Sequence, residues 1–388
     1  MKAAFYLSLF FSLLASCNTP SSKKNNNAVK PKTEMTGSND YIILKRFRIE
    51  DKQGFDKPLE VSSFLLPANW QVNSNVQWNA GNKCLPDMLQ VSVNATSPDG
   101  AYELSLYPAT QFDWSDDPVY LDAMQRGFNL HSCQIAKPAD ASQYITETLA
   151  PHLKAQVKSA KVIEALQQQM DAGAAAQTQL ARQGGNNAYS HKGSAAEGML
   201  QFEDGKEGMA FCTVMQTIVT MGGTQGQTTN SYYCYVSMRM VLKYKSGSEP
   251  EARKIMSTLF SSTRINPTWW NGVQNFFLAV SKNAQDQTWK HTQEIQAVQQ
   301  QMGNNILRNW EQRNAATVSN NTSSADTDAF GKYLRGVEHY TDESGNKIEL
   351  TSGYTNAWSR GDGSYLLSNN PAFDPNVAFN EDWKRLNK

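Results

Sequence analysis

At 388 residues the chain is long enough for two or three domains, each with its own core. Its 36 Lys and Arg are balanced by 36 Asp and Glu, so the formal net charge is zero. That balance leaves no electrostatic footprint for nucleic acid or for an anionic membrane surface, and no nucleic-acid partner is expected.

The chain opens with Lys2 and an apolar run from Phe5 to Leu14, too short to span a bilayer as a stable helix. Leu14-Ala15-Ser16-Cys17 follows, and these four residues resemble the lipobox of bacterial lipoproteins. The resemblance implies that residues 1–16 are a signal peptide, that Cys17 is the lipidated residue, and that this lipid holds the protein to a membrane. An ordinary secretory signal with an incidental Cys is the alternative. Asn18 stands where an Asp would be the inner-membrane retention signal, so the resemblance implies an outer-membrane anchor, facing the periplasm or the cell surface. Residues 17–40 then read as lipid anchor and flexible tether, because they hold too few apolar groups to fold. Ser21-x-x-Lys24 has the spacing of a penicillin-binding nucleophile motif, but a tether cannot position it.

Residues 41–267 read as an α+β domain. Strand composition begins at YIILKRFRIE and returns in SSFLLPANWQV. Leu89, Val91 and Val93 alternate, Pro98-Asp99-Gly100 turns, and Tyr102, Leu104 and Leu106 alternate again, which predicts a hairpin. Asp117 before Pro118 signals a helix start. A second helix from about Ala139 places Tyr144, Ile145, Leu149 and Leu153 on one face, and residues 164–183 read as a third. RQGGNNAYSHKGS reads as a loop. Asp204-Gly205 predicts a second hairpin, and Ser248-x-x-Glu251 a capping box for a helix carrying Ala252, Ile255, Met256, Leu259 and Phe260. STRINPTWW reads as an extended exit, with Trp269-Trp270 at an interdomain packing point.

Residues 268–316 predict a long amphipathic helix or a helical hairpin, and its apolar stripe suits internal packing or a dimer seam. Residues 317–327 read as a linker, and 328–388 as a small β-rich C-terminal module. In that module Gly361 and Gly363 flank Asp362 as a tight reversal requires.

Four cysteines remain besides Cys17. If the loop between the strands that carry them is centred near Gly223, Cys212 and Cys234 face each other across an antiparallel pair and form a disulfide, with Cys84 and Cys133 as the second pair. The rival arrangement joins each of the first two to Cys84 or Cys133. No Cys-x-x-Cys and no Cys/His cluster has metal spacing, and no cofactor or metal is expected.

FLLPANWQV followed by SPDGAYELSLYP resembles the opening strands of PsbP-like α/β domains. The resemblance implies a sandwich in which helices pack on an antiparallel sheet. The residues Arg335, Gly336, Leu350, Ser352, Gly353, Tyr354, Trp358, Gly363, Tyr365, Pro371 and Pro375 are similar to a C-terminal segment of uncharacterised exported bacterial proteins, which implies a domain family and no reaction.

No Gly-x-Ser-x-Gly, His-Glu-x-x-His or Walker loop occurs, so no catalytic residue is assigned. Tyr354, Asn356, Trp358, Arg360, Asp362 and Tyr365 are candidates for a binding surface, since aromatics beside amides stack on sugar or peptide. The competing reading makes the aromatics the core of a small module. Three function classes follow. The first is a non-enzymatic binding or scaffolding lipoprotein with an envelope protein or glycan partner. The second is an envelope hydrolase whose carboxylates meet only in three dimensions. The third is an adhesin using Arg360-Gly361-Asp362.

Overall fold

A computed structural model describes residues 41–128, 133–222, 227–283, 337–342 and 345–388. The signal segment with Cys17, the tether, the helical stretch beyond residue 283, the linker and the start of the C-terminal module lie outside the described residues.

In chain order the structure runs β1 (Tyr41–Asp51), β2 (Leu59–Pro67), β3 (Gln71–Trp78), a helical turn α1 (Leu85–Met88), β4 (Leu89–Thr96), β5 (Tyr102–Tyr107) and β6 (Thr110–Ser115). Next come α2 (Pro118–Ala123), β7 (Gln134–Ile135), and α3, built from Ala141–Tyr144, Ile145–Leu149 and Ala150–His152. β8 (Ala155–Val162), α4 (Glu164–Gln183), β9 (Tyr189–Phe202), β10 (Glu207–Gly222) and β11 (Thr228–Tyr244) follow. The last elements are α5 (Glu249–Ser262), β12 (Arg264–Ile265), α6 (Pro267–Asn283), β13 (Val337–Thr341), β14 (Lys347–Thr351), β15 (Asn356–Ser359), β16 (Tyr365–Ser368), α7 (Pro375–Phe379) and β17 (Lys384–Arg385).

The fold is α+β, with sheets that are antiparallel except where β6 meets β7. The larger sheet has the order β3-β4-β5-β11-β10-β9-β8, with β6 pairing β11 further along its length. The smaller sheet has the order β12-β2-β1-β16-β15-β17. One face of the larger sheet carries α3, where Tyr144, Ile145 and Leu149 are buried against Ala196, Val214 and Val236. Its other face packs on α4, α5, α6 and the smaller sheet, in a core that includes Phe64, Leu166, Met215, Leu242, Met256 and Val273.

Local sequence signals explain most of these elements. Asp117 accepts hydrogen bonds from the amides of Val119 and Tyr120, and Asp140 with Gln143 forms a reciprocal capping box. Gly100 and Gly205 take positive φ in the two hairpin turns. The box expected at Ser248 does not form: its side chain makes no cap bond and its backbone is not in the extended cap conformation, although α5 still starts there. β9 begins at Tyr189, within the stretch expected to be a loop. Gly193 permits this, because a Cβ there would lie 2.7 Å from the carbonyl oxygen of Met170 on α4. α6 starts at Pro267, so the Trp pair is helical rather than extended.

The C-terminal strands do not stand apart as a separate module. β16 pairs with β1 from Tyr41↔Ser368 to Leu44↔Tyr365, so one sheet unites the start and the end of the described chain. The physical reason is that β1 would otherwise present an open edge, with Leu44 and its neighbour Leu65 bare.

The expected Cys212–Cys234 disulfide is absent. Cys84 pairs with Cys133, Sγ–Sγ 2.11 Å, while Cys212 and Cys234 are free and buried. Gly222 pairs with Thr228, which puts the β10–β11 turn beyond Gly223, and Cys234 consequently faces Gln216. Cys212 stands opposite a bulge in β11, four residues from Gln216 along β10, or about 13 Å at the rise of a strand. That distance is too great for a disulfide.

Candidate functional site

The packing of the two sheets leaves an apolar chamber of about 160 Å³, partly open to solvent. Strand alternation builds its walls. From the larger sheet come Val91, Val93, Leu104, Leu106 and Met240, and from the smaller sheet Ile49, Val61 and Phe64. Leu259 and Phe260 of α5 close one side, and Trp269, Trp270, Val273 and Phe277 of α6 close another. The lining holds no carboxylate, imidazole, thiol or amine. Its polar groups are hydroxyls and indoles, and the Ser237 hydroxyl is 2.9 Å from that of Thr213.

Two backbone and side-chain devices hold this wall. The first is a bulge in β11, where Met238 and Arg239 stand opposite the single residue Cys212, and where Met238 takes φ +50° and contributes to the lining. A non-glycine residue in the left-handed region is costly and persists only where surrounding structure imposes it. The second is a carboxylate at the end of β1. Asp51 is fully buried. One of its oxygens accepts from the indole of Trp78 at 2.8 Å and that of Trp269 at 2.9 Å. The other accepts from the amides of Gln53 and Gly54. Burial opposes the charge, but these four donors outweigh it and hold the carboxyl below its ordinary range. Asp51 thereby fixes the indole of Trp269 in the chamber wall.

The residues singled out as a binding surface lie elsewhere, on the hairpin β15–β16. Trp358 is buried against Leu366 and Trp383, edge-on to Phe373. Asn356 is buried and accepts from Arg385 at 2.7 Å. Tyr354 and Tyr365 pack partly buried on the cluster around Leu44 and Leu350. The aromatics therefore form core rather than an exposed platform.

Arg360-Gly361-Asp362 occupies the turn, with Gly363 at φ +83° and its amide bonded to the Arg360 carbonyl at 3.0 Å. The Arg360 guanidinium donates to Asp362 at 3.0 and 2.6 Å, also meets Glu381, and stacks over Trp383. The Asp362 charge is disfavoured by burial, yet bonds from Arg360 and Ser364 keep its carboxyl below the usual range. The Arg and the Asp are closed on each other.

Burial pushes the Cys234 thiol up to about 12, and raises that of Cys212 further. Neither is poised as a nucleophile. Among the described residues no helix is long and apolar enough to cross a membrane, and no group of three His, Cys, Asp or Glu is placed to hold a metal.

The chamber was not singled out in the sequence. Alternation in β4 and β5 gives its walls, but a void is a property of how two sheets and two helices meet, and no residue type announces it. The Trp269-Trp270 pair was the nearest signal. No protein-family model matches the chain, and no curated protein matches it.

Proposed function

We propose that this chain is a lipid-anchored cell-envelope protein, held at the outer membrane through Cys17, that binds an apolar ligand in its chamber and does not act by catalysis. The observation that carries the binding role is the chamber's lining, which is apolar apart from hydroxyls and indoles and holds no carboxylate, imidazole, thiol or amine to activate those hydroxyls. A cavity of this size walled by apolar groups stays dry and takes apolar guests in other proteins. The anchor rests on Leu14-Ala15-Ser16-Cys17 after a short apolar run. The PsbP-like reading of the described α+β unit is supported by Trp70, which follows Pro67 at the end of β2 and stacks on Tyr102 of the next hairpin at 6.1 Å.

The adhesin reading is disfavoured by the closed pairing of Arg360 with Asp362, which leaves neither side chain extended toward a receptor. The hydrolase reading draws no support from the chamber, where a carboxylate pair is missing.

Cell fractionation and intact-mass analysis test the anchor. Wild type is expected in the membrane fraction with acyl mass on Cys17, and Cys17→Ala in the soluble fraction. Wild type that is soluble and unacylated would refute it. For the binding role, benzene should raise the melting temperature of the soluble variant; an unchanged melt with every apolar solute tried would refute that half.

A further inference from the structure

We infer that the chamber's ligand is a small single-ring alcohol of the phenol class, its ring packed in the apolar walls and its hydroxyl bonded to serine hydroxyls of the lining. The inference deepens the binding role above and rests on it.

Size is the first argument. The chamber's volume of about 160 Å³ is close to that of an engineered apolar cavity of about 150 Å³ that takes benzene. One six-membered ring fills such a space. A long alkyl chain or a disaccharide exceeds it.

The walls are the second. Phe64, Phe260, Trp269, Trp270 and Phe277 bring aromatic faces and edges from β2, α5 and α6. Rings gain from edge-to-face and offset contacts with other rings. Met238 and Met240 add thioethers, which also favour aromatic neighbours.

The polar lining is the third. The Trp269 indole is committed to Asp51, and the Thr263 hydroxyl donates to the Leu259 carbonyl at 2.6 Å. Ser62 and Ser237 are placed differently. Ser62 pairs with Ile49 and Ser237 with Thr213, so each side chain shares the face of its sheet that bears the chamber. Both residues are buried, and the Ser62 hydroxyl makes no hydrogen bond among the described residues. The Ser237 hydroxyl meets only that of Thr213, at 2.9 Å. Whichever of those two donates, Ser237 keeps either a proton or a lone pair unused. A ligand hydroxyl both donates and accepts, so it satisfies either arrangement. A carboxylate or an amine would instead bring a charge into a lining that holds no counter-charge.

The test is isothermal titration of the full chain carrying Cys17→Ala, with phenol and with toluene, a ring of similar shape that lacks the hydroxyl. Each is expected to saturate at one per chain. Adding Ser62→Ala and Ser237→Ala together is expected to weaken phenol binding about tenfold and to leave toluene binding as in wild type, with native circular dichroism. Wild type that takes toluene but excludes phenol would overturn the inference, and that contrast needs no variant. A natively folded double variant that loses neither ligand, or both alike, would overturn it too. In each of these cases toluene binding to wild type leaves the binding role standing. If no ring binds, both fail.

Discussion

Asp51 shows how much a single side chain can organise. Its carboxylate joins β1 to β3 and α6 by accepting from two indoles, while its second oxygen ties the following turn. Asp51→Asn would keep the turn but set an amide donor against two buried indole donors. Leaving such donors unpaired costs about 1–3 kcal/mol each, so we expect Asn to destabilise the protein by about 3 kcal/mol in urea titration. A loss below about 0.5 kcal/mol would mean that the indoles do not depend on the carboxylate. His191 makes a second prediction. Its Nδ1 lies 3.3 Å from the Thr178 hydroxyl under α4, and burial lowers its pKa to about 4. The unfolded value is about 6.5, so between the two the unfolded chain binds more protons and stability falls as pH falls. Melting curves of His191→Gln should show a shallower loss across that window than wild type, and parallel profiles would contradict it. Neither role was legible in the sequence, because an Asp at a strand end and a scattered His acquire partners only through residues 27 and 218 positions away, or through a helix folded back on its sheet.

Elements with local causes were the most legible. The helix starts at Asp117 and Asp140 and the hairpins at Gly100 and Gly205 follow from caps and turns written within a few residues. The register of β10 against β11 was not legible, since a turn centre displaced by about two residues and one bulge move every cross-strand partner. That is why Cys212 and Cys234 were paired wrongly from spacing, while Cys84 and Cys133, which lie in different parts of the fold, meet. The disulfide that does form spans 49 residues. In the chain-entropy account such a closure is worth about 4 kcal/mol. Cys84→Ala with Cys133→Ala should therefore lower the urea midpoint strongly. Reduction that leaves the midpoint unchanged would contradict this. Replacing Cys212 or Cys234 by Ala removes no cross-link and tests only packing.

At the scale of the whole molecule, the decisive contact is β1 with β16, which lets the described chain close on itself. Strand composition marks β1, and residues 328–388 read as β-rich, but the pairing joins residues more than 300 positions apart and left no local trace. Removing residues 345–388 should expose Leu44 and Leu65, now buried, and collapse amide protection along β1 in hydrogen exchange. A truncated chain with native protection there would restore the separate module expected from sequence. The same closure, with α5 and α6, frames the chamber on which the functional account depends. The most direct test is urea unfolding of the Cys17→Ala chain and its Ala109→Phe derivative, in which the added ring stands at a lining position, each with and without benzene. A ligand held only by the native chamber at a hundred times its dissociation constant adds about 2.7 kcal/mol. The account predicts that gain for the open chamber and little or none for the filled one; equal gains in both, or none in either, would contradict it.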